Sequence, residues 1–307
     1  MEYLKKSLKS ALDQTYDNIE IVISDNSENN DTKKYIESLD NKKIRYIKNK
    51  INIGPFLNSN QVVSLSKGKY VKYLLDDDLL HSSCVEKMVT IFEKFPSVGV
   101  VMAPLNIIDT RGNEITPRFY FVRQMHNLYR YKDQNMLVPK KKIMEDFLTK
   151  VYPCCVPTGY MFRKSLYDEL GKPDEQFGYI GDVELCMSFA TKQDFYYLDE
   201  YLSSWRYSPT SETVSILHKK GTVLDIFYRV THKYLHYTNN IQKAYFFASK
   251  RTVINIIAGI RSKNIPLIIE TIKTILYNDP YILNKLYLPF DILFEVLKSF
   301  IPYEKKR

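Results

Sequence analysis

The sequence predicts an α/β protein: a mostly parallel sheet flanked by helices, followed by a helical C-terminal region. Three observations predict it. Strands alternate with helices through the first 103 residues. Two of those strands, at 19–23 and 98–103, are near-continuous apolar runs, the pattern of a parallel sheet covered on both faces. From about residue 221 the signal is helical, with Ile254, Ile257, Ile260, Leu267, Ile268, Ile272 and Ile275 at helical spacing and Pro266, Pro280 and Pro289 as punctuation.

The elements follow in order. Leu4, Leu8, Ala11 and Leu12 give residues 2–14 a helical inner face. Residues 19–23 are β-branched and apolar, a strand ending in the polar loop 24–32, whose Asp31 can cap the next helix. Ile36 and Leu39 line that helix, and 44–47 is a second strand. A turn at 52–55 leads to a helix over 56–66. Residues 70–75 then form a strand that runs into three carboxylates. Ser83 with Glu86 reads as a capping box for a helix that Pro96 ends. Asp109–Asn113 reads as a hairpin turn, and 143–149 as a short helix. A strand at 154–163, a helix at 165–170 closed by Gly171, a helix at 182–191 and strands at 195–198 and 205–207 complete the α/β part. The expected division is 1–215, with halves 1–103 and 104–215, and a helical region 216–307.

At 307 residues the chain can bury a sizeable core. Its 44 basic and 35 acidic residues give a net charge of +9, which favours anionic partners without choosing among them. No groove-reading or RNA-binding motif is present, so nucleic acid is not an expected partner. Cys84, Cys154, Cys155 and Cys186 match neither a zinc site nor a disulfide framework and read as reduced and cytoplasmic. No secretory leader is visible, and no run of 18 apolar residues could span a membrane. The apolar and basic residues between Leu286 and Lys306 suit either a packed helix pair or peripheral contact with the inner face of a membrane.

The chemistry concentrates at Asp76-Asp77-Asp78, at the end of an apolar run. Ligands of open α/β sheets bind at such strand ends. Three adjacent carboxylates repel one another, and a divalent cation relieves that repulsion; all-oxygen ligands suit Mg²⁺ or Mn²⁺. The alternative is a solvated acidic turn. Asp182 follows Gly181 at a helix start, where it suits both a helix cap and a proton acceptor.

Three stretches carry a resemblance: Tyr3-Leu4 with Ser7, Ser10 and Gln14-Thr15-Tyr16 through Ser24-Asp25-Asn26-Ser27; Asn52, Gly54, Asn58 and Asn60 through Asp78; and Gly159-Tyr160 through Gly171, Asp174-Glu175 and Gly181-Asp182-Val183-Glu184. Over residues 1–210 their order and spacing resemble family 2 glycosyltransferases of the GT-A fold. The resemblance implies an inverting, metal-dependent transfer of a sugar from a nucleotide-sugar, probably UDP-linked, to a glycan or lipid-linked acceptor in bacterial surface polysaccharide synthesis. It implies Asp182 as the catalytic base, Asp25, Asp76 and Gly159 as contacts to the donor, and Asp77 and Asp78 as ligands of Mn²⁺ or Mg²⁺. Leu75 stands where many relatives carry the first Asp of the motif. Arg206 reaches phosphate or a salt bridge, and His218 is a further candidate for the metal. The family pattern begins one strand earlier than this sequence. The expected consequences are a sheet short of one strand, an open nucleotide pocket and weak nucleotide binding that an upstream extension restores. A catalytically idle relative acting as a binding or scaffold protein is the alternative reading.

Overall fold

The computed structural model describes residues 1–115, 134–150, 156–208, 225–252, 256, 259–260 and 263–281. The chain packs as two compact units. The first gathers Met1–Asn106, Tyr131–Lys140 and Cys154–Arg206, and the second Ile107–Arg130, Lys141–Pro153 and Tyr207–Arg307. The main cut thus falls at residue 206, nine residues before the boundary read from the sequence, and two earlier segments group with the C-terminal helices.

The first unit opens with α1 (Glu2–Leu12), β1 (Ile21–Asp25), α2 (Asp31–Leu39), β2 (Ile44–Lys48) and α3 (Gly54–Leu65). β3 (Tyr70–Lys72) and β4 (Leu79–Leu80) flank the acidic triplet, and α4 (Cys84–Lys94) leads to β5 (Val98–Met102). The strand expected over 70–75 is therefore three residues long, and the carboxylates sit in a loop between two short strands. β6 (Leu105–Ile108) is followed by the expected hairpin turn, in which the Asp109 amide donates to the Asn113 carbonyl at 2.9 Å.

β7 (Met136–Val138) and α5 (Lys140–Thr149) come next, then β8 (Tyr160–Arg163), α6 (Lys164–Leu170), α7 (Gly181–Ala190), β9 (Asp194–Tyr197) and β10 (Ser203–Arg206). Gly171 ends α6 at φ 81°, a left-handed conformation that favours glycine. Two helix starts differ from expectation. Asn30, not Asp31, is the N-cap of α2, and Ser83 caps α4 without a side-chain hydrogen bond. Glu86 instead accepts the Thr15 hydroxyl at 2.6 Å, so no capping box forms.

β1 and β2 pair in parallel as a two-stranded sheet of their own. A five-stranded sheet runs β3-β8-β5-β9-β7. Its β5–β9 pair is parallel, whereas β8 runs antiparallel to both neighbours and β7 antiparallel to β9. The sheets are thus mixed where the apolar runs suggested parallel pairing. Burial on both faces makes a strand apolar, but it does not fix strand direction. β5 is buried along its whole length, and Phe92, Met88 and Val101 anchor the core beside it.

Among the described residues of the second unit, α8 (Ile226–Tyr234), α9 (Ile241–Thr252) and α10 (Ile265–Asn278) bear out the helical C-terminal signal. The Asn264 side chain caps α10 on the Leu267 amide. Tyr228, Ser249 and Asp279 share a buried hydrogen-bond chain, 2.9 Å and 2.6 Å long at its two links, which ties α8 to α9 and to the end of α10. No helix among the described residues is long and apolar enough to cross a membrane. Cys84 and Cys186 are buried and unbridged, while Cys154, Cys155, His218 and the stretch 286–306 lie outside the described residues.

Candidate active site

The acidic loop is held from two sides. α1 carries a polar stripe, Ser7, Ser10 and Gln14, at helical spacing on its inward face. The Ser7 hydroxyl donates to the Leu75 carbonyl at 2.9 Å, and Ser10 accepts the Leu80 amide at 3.1 Å. Gln14 donates to the His81 carbonyl at 2.8 Å and accepts the Val85 amide at 2.9 Å. These partners lie 67–71 residues away in sequence.

Behind the loop lies a buried polar cluster. The 3-10 turn Pro157–Gly159 brings Thr158, fully buried, onto Asp78. The Thr158 hydroxyl donates to one Asp78 oxygen, and the Arg206 amide donates to the other at 2.9 Å. The Lys72 ammonium donates to the Thr158 carbonyl, which also accepts the Ser203 hydroxyl at 2.9 Å. The Arg206 guanidinium donates to the Asp77 carbonyl at 2.7 Å and stacks 4.5 Å from the centre of the Tyr3 ring.

The three aspartates consequently meet three environments: Asp76 is exposed, Asp77 half-buried and Asp78 fully buried. Burial and the neighbouring Asp76 charge raise the Asp77 carboxyl above the ordinary carboxylate range. Burial pushes Asp78 up to about 7 against the hydrogen bonds from Thr158 and Arg206. Burial lowers the Lys72 ammonium, which the Asp78 charge partly offsets. Neither Asp78 oxygen can turn to a cation without giving up one of its hydrogen bonds.

Asp182 is half-buried in the first turn of α7, and its partners among the described residues are backbone amides at that helix start, Val183 at 2.8 Å. Burial pushes its carboxyl up to about 7. Tyr73, three residues before Asp76, lies within electrostatic reach of Asp182. Gly181 fixes where α7 begins: a Cβ there would stand 2.3 Å from Cε2 of Phe56, so the start of α3 packs directly on this glycine.

Asp25 ends β1 in a separate constellation. It accepts the Ser27 amide at 2.7 Å, the Tyr46 hydroxyl at 2.6 Å and the Lys48 ammonium at 3.1 Å. Burial raises its carboxyl, but these hydrogen bonds outweigh burial and leave it below the ordinary range. Beside it, Asn58 and Asn49 bridge Ser24 and Asn26, with Gln61 closing the network on Asn49 at 2.7 Å. That network explains the Asn-rich motif: it locks the end of β1 to α3. Gly159 is buried, with its amide on the Val156 carbonyl and its carbonyl accepting the Ala103 amide at 3.0 Å. Its backbone is engaged inside the fold, and it serves the turn that delivers Thr158.

The residues present fit an oxygen-seeking cation at Asp76 and Asp77. The two carboxylates adjoin, neither has a side-chain hydrogen-bond partner among the described residues, and Asp77 is held above its ordinary range in part by its neighbour's charge. No group of three or more His, Cys, Asp or Glu side chains among the described residues could hold a metal by itself. A cation there needs further oxygens from a ligand.

The fold is that of the GT-A glycosyltransferases. Staphylococcus aureus TarS 1–349, in complex with UDP-GlcNAc, superposes with a TM-score of 0.67 at 14% identity, covering 97% of this chain and 85% of that one. A mannosyltransferase of Pyrobaculum calidifontis, in complex with GDP-Man and Mn²⁺, superposes with a TM-score of 0.56 at 12% identity, covering 97% and 82%. The sequence pattern described as Glycosyl transferase family 2 matches residues 1–171, and the chain belongs to that family, an enzyme of sugar transfer. An uncharacterised glycosyltransferase of Methanocaldococcus jannaschii is 24% identical over 80% of this chain and 81% of its own length. One of Haemophilus influenzae is 33% identical over 35% of this chain and 34% of its own length.

Proposed function

We propose that the chain transfers a sugar, with inversion, from a UDP-linked donor to a glycan or lipid-linked acceptor in surface polysaccharide synthesis. One observation carries the reading. Asp182, its carboxyl held near 7 and partnered only by helix-start amides among the described residues, is placed by Tyr73 beside the strand that leads into Asp76 and Asp77. In this reading Asp182 accepts the proton of the acceptor hydroxyl as that oxygen attacks the sugar, worth roughly 10²–10⁴-fold. Asp77, with Asp76, holds a Mn²⁺ or Mg²⁺ ion, which supplies Lewis-acid neutralisation of the diphosphate when bound. Asp25 and the Ser24–Asn58 network form the nucleoside wall. Binding of UDP-GlcNAc by TarS supports the choice of UDP, and GDP-Man in the archaeal neighbour marks the competing base.

A panel of nucleotide-sugars, assayed for Mn²⁺-dependent hydrolysis and transfer, tests the reading. Asp77→Ala and Asp182→Asn should each lower turnover at least about 100-fold. Turnover that survives both changes would overturn it.

The second unit supports a peripheral contact with an anionic lipid surface. The first unit has 22 basic against 24 acidic residues, and the second has 22 against 11, so the whole positive excess lies in the second. In that unit α10 exposes Ile265, Ile269, Ile272, Leu276 and Tyr277 along one side.

A further inference from the structure

We propose that Asp78 is not a ligand of the donor's cation but the anchor of a buried clasp, and that Thr158, Arg206 and Tyr3 are positioning residues that present Asp77. The inference rests on the sugar-transfer reading and assigns roles within its site.

Sequence alone makes the three aspartates equivalent, and their surroundings do not. Both oxygens of Asp78 are occupied, by the Thr158 hydroxyl and by the Arg206 amide at 2.9 Å. Thr158 is itself fixed: it is fully buried, and its carbonyl takes the Lys72 ammonium and the Ser203 hydroxyl. Arg206, 2% exposed, spans from the same strand to the Asp77 carbonyl, while the Tyr3 ring covers its guanidinium. With Ser7 on Leu75 and Ser10 on Leu80, the loop is gripped at residues 75, 77, 78 and 80. The carboxylates of Asp76 and Asp77 are the parts of it left facing outward.

The physical need for such a grip is plain. Two adjacent carboxylates repel, and a slack loop would turn them apart. A cation would then have to draw them together and order the loop, and that entropy would be subtracted from its affinity. A loop held rigidly from behind meets the cation ready-made. Groups behind a metal's direct ligands typically alter its affinity about 10–100-fold when removed.

The experiment measures thermal stabilisation of the full chain by UDP, with GDP and CDP as parallel probes, as Mn²⁺ is titrated. The readout is the Mn²⁺ concentration giving half the maximal shift. The same nucleotide is titrated in EDTA as a control. Asp77→Asn should abolish the Mn²⁺ dependence. Thr158→Val should raise the Mn²⁺ requirement about tenfold, Asp78→Asn should move it in the same direction, and Thr158→Ser should restore it to within about twofold of wild type. Nucleotide binding in EDTA should stay unchanged. Tyr3→Leu, at a partly exposed position that threatens folding least, should raise the requirement about two- to fivefold through the guanidinium alone. Lower melting temperatures with unchanged Mn²⁺ requirements would make the clasp merely structural and overturn the proposal. Asp78→Asn as damaging as Asp77→Asn, with Thr158→Val and Tyr3→Leu silent, would make Asp78 a ligand and overturn it too. A wild-type chain showing no Mn²⁺-dependent response to any of the three nucleotides would sink the sugar-transfer reading itself, an outcome read before any variant is made.

Discussion

Two aspartates show how surroundings set chemistry. Asp25 and Asp182 each sit at the end of an element, yet their carboxyls move in opposite directions. Asp25 gains a phenol, an amide and an ammonium that hold it ionised. Asp182 is taken from water with only helix-start amides in return, and its carboxyl rises to about 7. A base with that value is poised to gain and release a proton near neutrality. The transfer rate at limiting substrate should therefore fall about tenfold per pH unit below 7, and the pH profile of wild type over pH 5–9 checks it. Stability carries the opposite sign. The folded value lies above the unfolded 3.8, so the favourable contribution of Asp182 is full below about 4 and is lost as pH rises through 7. Asp182→Asn keeps the uncharged form at every pH. It should melt about 2–4 °C above wild type at pH 8 and level with it at pH 4, while losing activity at both. A variant less stable than wild type at pH 8 would deny that burial raises this carboxyl.

At the scale of elements, the site depends on where helices start. Gly181 lets α7 begin against Phe56. Gly181→Ala drives a methyl into that ring, at a cost of about 1–3 kcal/mol and a displaced Asp182. Turnover should fall at least about tenfold, and Phe56→Leu in the same chain should recover most of it by making room; no recovery would place the defect elsewhere. The same elements show what the sequence could reveal. Alternation and apolar runs were enough for the α/β class, for α4, β5 and α7, and for the hairpin turn at 109–113. They could not show that β8 runs antiparallel between β3 and β5, because strand direction leaves no mark on periodicity. The stripe Ser7, Ser10 and Gln14 looked like the outer face of α1, since its partners come from the loop 75–85. Glu86 fitted a capping box until Thr15 claimed it. Asp25, Asp76, Asp77 and Asp182 were legible because their motifs have fixed spacing. Lys72 and Thr158 were not, because a buried polar partner is defined by what the fold brings to it.

For the whole chain the decisive quantity is the distribution of charge. A net +9 spread evenly would say little, but the second unit alone carries +11 and the first is close to neutral at −2. α10 adds apolar surface in that same unit. Leu267, Thr271 and Ile275 face inward, while Ile265 is 65% and Tyr277 90% exposed, with Ile269, Ile272 and Leu276 between them. A helix apolar on both sides calls for a second covering. Basic charge with an apolar stripe is the combination that binds an anionic bilayer surface, by electrostatic attraction and shallow insertion together. The chain should float with vesicles containing 30% phosphatidylglycerol and stay behind with pure phosphatidylcholine, and about 0.5 M salt should release most of it as the Debye length shrinks. Ile269→Ser with Leu276→Ser should weaken flotation about tenfold while leaving hydrolysis of a soluble nucleotide-sugar unchanged, because neither residue belongs to the first unit. Two other coverings are distinguishable. A second copy would appear as a dimer by sedimentation that the same serines dissociate, and residues 282–307 folded over α10 would make their removal increase flotation instead of reducing it. Either result, with no flotation by wild type, would take the lipid surface out of the account.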